Sequence, residues 1–240
     1  MSSEAIRAER PLAVVVLAAG KGTRLGGGDD LPPKPLLDCL GLPLLEHVRR
    51  ALAPLDADQT LLVTGHRAED VEAWMADAWG GAQSVRQVPQ NGTGHAVRLA
   101  LESVPQFGGD VLVVYGDVPQ LASTELAELV AVHRTHDAQA TVLTGVVDEP
   151  GMLGRVIRDD DGAFARIVEA RDATPDELLV REFNTGLYVF DAAALRTALA
   201  NLSTANDQGE EYLTDAVGAI REAGGRVEAV ALPEGANLLG

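Results

Sequence analysis

Two rhythms of apolar and polar positions alternate along the first 136 residues. The runs Leu12–Ala18 (LAVVVLA), 60–64 (TLLVT) and 111–115 (VLVVY) carry no polar alternation, which is the pattern of strands covered on both faces. Between them lie stretches of helical period. One, at 43–52, opens on Pro43; another, at 68–79, sets Val71, Trp74, Met75 and Ala78 on one face. Further helices are predicted at 93–104 and 124–136, with a short strand at 84–88. This β-α-β-α rhythm predicts a parallel sheet with helices on both faces.

The second half changes character. Residues 140–147, 155–158 and 163–168 are strand-like, and Asp159-Asp160-Asp161-Gly162 between the last two is a hairpin turn signal. A strand at 183–190, helices at 192–202 and 211–223, and a last strand at 227–232 follow. The fold class is therefore α/β: a Rossmann-like, doubly wound, mostly parallel sheet with antiparallel additions in the second half. No repeat, low-complexity tract or dividing linker interrupts the chain, so residues 1–240 read as one domain with a flexible segment at 1–11.

Composition narrows the chemistry. The 240 residues are 46% hydrophobic, ample for one core. A net charge of −17 opposes binding to nucleic acid or to anionic membranes. No apolar run reaches the roughly 18 residues that span a bilayer, and the polar start MSSEAIRAER has no signal-peptide core. Cys39 is the single cysteine, which excludes a disulfide framework and fits a cytoplasmic location. A phosphate site in so acidic a protein needs concentrated cations or a metal. Of 19 cationic residues only Lys21 and Lys34 are lysines, and both lie with Arg24 in one glycine-rich segment.

That segment follows the first strand: Ala18-Ala19-Gly20-Lys21-Gly22-Thr23-Arg24-Leu25-Gly26. Loops at the carboxyl ends of such strands bind ligands, and glycines let backbone N–H groups approach phosphate. The dinucleotide fingerprint fails at Leu25, where its third glycine belongs; Gly65-His66 supplies no acidic ribose partner. A Walker A loop fails because Lys21 is followed by glycine. A dehydrogenase is thus excluded.

LAAGKGTRL followed by Pro33-Lys34-Pro35-Leu36 resembles the opening of the sugar-phosphate nucleotidyltransferases. The stretch 87–96 (QVPQNGTGHA) and Tyr115-Gly116-Asp117-Val118-Pro119 resemble the N-acetylglucosamine-1-phosphate uridyltransferases within that family. Leu153-Gly154-Arg155-Val156, Ile167-Val168-Glu169, Asn184-Thr185-Gly186, the stretch 208–215 (QGEEYLTD) and Glu234-Gly235-Ala236-Asn237 continue in the same order.

The resemblance implies transfer of UMP from UTP to N-acetylglucosamine 1-phosphate, with Mg²⁺ as cofactor. It implies that Leu17, Ala18, Ala19, Gly20, Lys21, Gly22 and Thr23 wrap the triphosphate, while Lys34 and Arg24 contact phosphate. Asp117 and the amide oxygen of Asn237 would hold the metal. Gln87, Gly92 and Thr93 fall on the base, with Gln87 reading it through its side-chain amide and Gly92 through its backbone. Tyr115, Gly116, Gly154, Glu169, Asn184 and Gly186 fall on the sugar. The nucleophile is a phosphate monoester, already mostly dianionic at neutral pH, so no general base is assigned.

On residue type alone, Asp117 also suits a helix N-cap, Glu169 a solvated strand face and Asn237 a chain tail. His95 reads as a helix or core residue, His47, His66, His133 and His136 as surface or half-buried positions, and Trp74 and Trp79 as core.

Departures from the family pattern are Asn91, the stretch Gly26-Gly27-Gly28-Asp29-Asp30, and Ala170-Arg171 after the glutamate. The best-known members carry a C-terminal acetyltransferase β-helix. Its hexapeptide repeats do not occur in this sequence, so acetyl transfer is not expected. Two other readings stand beside this one: a nucleotidyltransferase for another sugar 1-phosphate, and a catalytically silent, sugar-nucleotide-binding regulatory subunit.

Overall fold

The computed structural model describes residues 10–20, 31–206 and 208–232. Most of the expected N-terminal segment 1–11, the loop residues Lys21, Gly22, Thr23 and Arg24, and Asn237 lie outside the described residues.

Eleven strands and seven α-helices are present among the described residues. They are β1 (Leu12–Ala18), β2 (Asp38–Cys39), β3 (Leu42–Pro43), α1 (Leu44–Leu52), β4 (Gln59–Thr64), α2 (Ala68–Ala78), β5 (Gln83–Arg86), α3 (Thr93–Ser103) and β6 (Asp110–Tyr115). Then come α4 (Ser123–His136), β7 (Ala140–Val146), β8 (Arg155–Arg158), β9 (Phe164–Val168), α5 (Pro175–Leu178), β10 (Glu182–Asp191), α6 (Ala192–Leu199), α7 (Leu213–Glu222) and β11 (Val227–Ala231). No helix among the described residues is long and apolar enough to cross a membrane.

The main sheet runs β11-β7-β10-β6-β1-β4-β5. β1 pairs in parallel with β4 and β6, and β4 with β5. β10 enters antiparallel to β6 and β7, and the hairpin β8–β9 hangs from it. The expected turn closes that hairpin: Gly162, at φ +80°, donates its N–H to the Asp159 carbonyl at 2.9 Å. The class read from the sequence, mostly parallel with antiparallel additions, is the one observed.

The unbroken apolar runs are explained by two cores. Along β1, Val15 and Leu17 face one core with α3, α6 and α7, while Leu12, Val14, Val16 and Ala18 face the other with α1, α2 and α4. Period two sends successive side chains to opposite faces, and helices cover both. Trp74 and Trp79 pack edge to face, 6.5 Å between centroids, against the second core.

Boundaries differ from expectation where tertiary contacts decide them. α7 starts at Leu213, not at 211, because the Thr93 hydroxyl accepts the Leu213 N–H at 3.0 Å and caps the helix from outside. The small β2–β3 hairpin, turned at Leu40 (φ +56°) and Gly41 (φ +85°), and the one-turn α5 were not anticipated from periodicity, which needs more residues than either has.

At the N-terminal edge of the sheet, Asp110 is fully buried. Arg10 Nε lies 3.0 Å from its Oδ1, and Arg134 Nε donates to its Oδ2 at 2.6 Å. Without such partners a buried carboxylate would cost on the order of several kcal/mol. His133, expected at the surface or half-buried, is instead 1% exposed, because α4 lays it on β7 with Nδ1 2.9 Å from Thr141 Oγ1.

Burial, only partly opposed by the Asp110 carboxylate, lowers the His133 pKa to about 4. The unfolded chain therefore binds this proton first. The stability from keeping His133 neutral is complete above pH 6.5 and is lost as pH falls toward 4. Between pH 6.5 and 5 the unfolding free energy in urea should fall about 2 kcal/mol further in the wild type than in His133→Gln. Equal slopes in the two proteins would mean that the folded state does not depress this histidine.

Candidate active site

The chain's first strand lies inside the sheet. β4 and β5 build to one side of β1 and β6 to the other, so the topological switch falls between β1 and β6. Open α/β sheets bind ligands in the crevice beyond such a point. Leu17 is in register with Tyr115, and Gly116 donates its N–H to the Leu17 carbonyl at 2.9 Å. Gly20 and Asp117 therefore leave the sheet from adjacent strands. A Cβ on Gly116 would lie 3.2 Å from Leu45 Cδ1 and 3.3 Å from Ala18 Cβ, tighter than ordinary packing.

Lys34 stands on a single 3₁₀ turn, Lys34–Leu36, with Pro33 before it and Pro35 buried. Its Nζ is 2.7 Å from Asp117 Oδ2, and the two side chains are 29% and 26% exposed. Two residues 83 positions apart thus meet at the crevice, still open to solvent. Leu17, Ala18 and Ala19 are buried, so they can offer a ligand only backbone. The Ala19 carbonyl already accepts from the His66 N–H at 3.2 Å and from Gln90 Nε2. Gly20 is exposed.

A second group forms where β5 passes into α3. Gln87 is 4% exposed; its Nε2 donates to the Gly92 carbonyl at 2.8 Å and lies 3.1 Å from His95 Nδ1. Gly92 has φ +101°, and a Cβ there would strike the Glu211 carbonyl oxygen and lie 2.9 Å from Glu210 Cβ. Asn91 O accepts from Glu211 N at 2.9 Å, and Gly94 N donates to Glu211 O at 2.8 Å. The Thr93 oxygen is engaged in capping α7.

A third group surrounds an irregularity in β10. The register to β7 shifts between Asn184 and Leu187. Asn184 donates its backbone N–H to Gly154 O at 2.9 Å and its side-chain N–H to Tyr188 Oη at 2.6 Å, while its Oδ1 accepts from Gly186 N at 3.0 Å. Gly186 has φ +81°, and a Cβ there would run into the Tyr115 ring, so the ring lies directly over this glycine. Burial raises the Tyr115 phenol, with the Glu169 and Asp117 carboxylates adding to the effect.

Glu169 is not on a solvated face. It is half-buried and accepts from Thr214 Oγ1 at 3.1 Å. Burial raises its pKa; the Thr214 bond opposes this, and Asp215 and Asp172 reinforce it.

Tyr115, Gly116, Gly154, Glu169, Asn184 and Gly186 thus form one contiguous group, and Gln87, Gly92 and Thr93 a separate cluster between the end of β5 and the start of α3. The stretch 208–215 joins them, through Leu213 on Thr93 and Thr214 on Glu169. In the sequence that stretch is marked only by its place in the ordered motif series, which assigns its members no role. His95 was read as helix or core. It is buried as expected, and it also touches Gln87.

Residues 14–219 match the model of the MobA-like NTP transferase domain family. The Bifunctional protein GlmU of Streptococcus sanguinis (strain SK36) is 42% identical over 226 residues, which are 94% of this chain and 48% of that protein. The Bifunctional protein GlmU of Streptomyces avermitilis is 44% identical over 222 residues, covering 92% of this chain and 45% of that protein. The chain spans about half the length of the curated relatives it matches. Among solved structures, a UDP-glucose pyrophosphorylase complexed with UDP-glucose superposes with a TM-score of 0.75 at 16% identity, over 93% of this chain and 91% of the other; at that identity the likeness is one of fold.

Proposed function

The chain belongs to the family of MobA-like NTP transferase domains, and from that premise we propose that it transfers UMP from UTP to N-acetylglucosamine 1-phosphate, giving UDP-N-acetylglucosamine and pyrophosphate. One observation carries the reading: Lys34 and Asp117 paired at 2.7 Å where β1 and β6 leave the sheet at its switch point. The family match and the relatives named Bifunctional protein GlmU support a sugar-1-phosphate nucleotidyltransferase; the choice of UTP and of sugar rests on the motifs at 87–96 and 153–186.

Nucleotidyl transfer calls for in-line attack at the α-phosphorus and for neutralisation of crowded negative charge. Lys34 supplies a compact cation on a proline-held turn, and Lys21 and Arg24 of the loop are assigned the same task. Gln87 and Gly92 receive the base, while Glu169, Asn184, Gly154 and the bulge at Gly186 receive the sugar.

The donor set fits Mg²⁺. Asp117 already draws a cation to its carboxylate, and a hard ion of this kind takes one or two protein oxygens and completes its shell with phosphate and water. No group of three or more potential metal ligands occurs among the described residues, and this coordination does not need one. Asp117, joined by Asn237, would hold the ion. When bound, it would neutralise phosphate charge and orient the triphosphate.

Pyrophosphate release over a panel of nucleoside triphosphates and sugar 1-phosphates tests the proposal. UTP with N-acetylglucosamine 1-phosphate should give the highest kcat/KM, because a pocket that hydrogen-bonds an acetamido group leaves polar groups unpaired when that group is missing. A preference for glucose 1-phosphate would reject the sugar assignment. No turnover with any pair would reject the enzyme and favour a binding subunit.

A further inference from the structure

We infer that His95 is a positioning residue that fixes the polarity of Gln87 toward the base, and so sets the preference for uracil over cytosine. The inference rests on the proposed reading in which Gln87 meets the base, and extends it to a residue outside the binding set.

A primary carboxamide has two N–H donors and one carbonyl acceptor. The Gly92 carbonyl, 2.8 Å away, is purely an acceptor, so the atom facing it must be nitrogen; the reversed amide would oppose two oxygens. The second N–H faces His95 Nδ1 at 3.1 Å. Nδ1 must then accept, which places the ring proton on Nε2. Both donors of Gln87 are consumed inside the protein, and Oε1 is the polar atom left for a ligand. At 4% and 7% exposure, neither side chain exchanges these bonds freely with water.

An acceptor in that place suits the N3–H of uracil. The N3 of cytosine carries a lone pair and would confront Oε1 with no hydrogen between them. His95 matters because it occupies the second donor. Without its acceptor, a buried N–H lacks a partner and the carboxamide gains by rotating that N–H toward the ligand. Gln87 would then present a donor that cytosine N3 accepts, and discrimination would fall. Gly92 opposes the same turn, because a reversed amide would set oxygen against its carbonyl; His95 supplies the second of the two bonds that hold the amide, and its loss leaves one.

The test compares UTP with CTP in His95→Phe and His95→Asn. Phenylalanine keeps a ring and removes the acceptor; asparagine returns an oxygen close to the place of Nδ1. His95→Phe should lower the UTP/CTP ratio of kcat/KM about tenfold, the size of one neutral hydrogen bond. The change should lie in KM for UTP with kcat nearly constant, and in the matching Kd by calorimetry. His95→Asn should keep most of the ratio. A folded His95→Phe with the wild-type ratio, or an asparagine variant as impaired as the phenylalanine one, overturns the inference.

Nitrogen-15 NMR of the wild type supplies a readout that needs no variant. Nδ1 of His95 should be unprotonated and Nε2 protonated, and the opposite tautomer overturns the inference. A wild type that turns over neither nucleotide sinks the proposed function and this inference with it. Uridine selectivity that survives in His95→Phe sinks this inference alone.

Discussion

Asp117→Asn should leave a folded protein whose turnover is reduced by two to three orders of magnitude, roughly what one electrostatic group aimed at transition-state charge contributes. The substitution keeps size and shape and removes the charge. It also breaks the ion pair with Lys34, but both partners are about a quarter exposed, and such a pair is worth less than about 1 kcal/mol to the fold. Thermal unfolding should therefore hardly move while kcat at saturating Mg²⁺ collapses. The two readouts separate a chemical role from a structural one. If the variant retains most of its Mg²⁺-dependent activity, Asp117 does not hold the metal.

Lys34→Ala should weaken use of the triphosphate by roughly 10- to 150-fold in kcat/KM, the equivalent of a charge-assisted contact of about 1.5–3 kcal/mol. Arginine should rescue it poorly. Pro33 and buried Pro35 fix the turn that carries Lys34, so a wider, planar guanidinium cannot be re-aimed by the backbone. Full rescue in Lys34→Arg would show that the position needs only a positive charge. Because Lys34 and Asp117 touch, the double variant Lys34→Ala/Asp117→Asn should fall short of the product of the single effects. Multiplicative losses would mean that the pair acts as two independent groups.

Parts of the candidate site stand out in the amino-acid sequence. The Gly-rich loop, the Pro-Lys pair and the Asp117 strand end each set a rare residue type at a short distance from an apolar run; the structure brings the last two together, while most of the loop lies outside the described residues. Gly92 and Gly186 sit within sequence motifs, but the reason for each is visible only in space. One must clear the Glu211 backbone and Glu210 Cβ, and the other must clear the Tyr115 ring. Neither partner is near in sequence. Glu169 shows the opposite case. On residue type alone it also suits a solvated strand face, the alternative to its place on the sugar, but α7 packs over that strand end and brings Thr214 to its carboxylate.

The sequence by itself determined the layered architecture. An unbroken apolar strand such as LAVVVLA cannot leave either face in water, so helices must cover both, and the order of runs and helical stretches then dictates a doubly wound sheet. Tertiary structure alone decided which distant residues meet. It brought Lys34 to Asp117, Thr93 to the start of α7, and His95 to the second N–H of Gln87. It also buried His133 against Thr141. The physical reason is the range of the forces. Periodicity records burial, a property each residue has on its own. A hydrogen bond or ion pair acts over about 3 Å between two specific atoms, and no local pattern states which partner the fold will bring within reach.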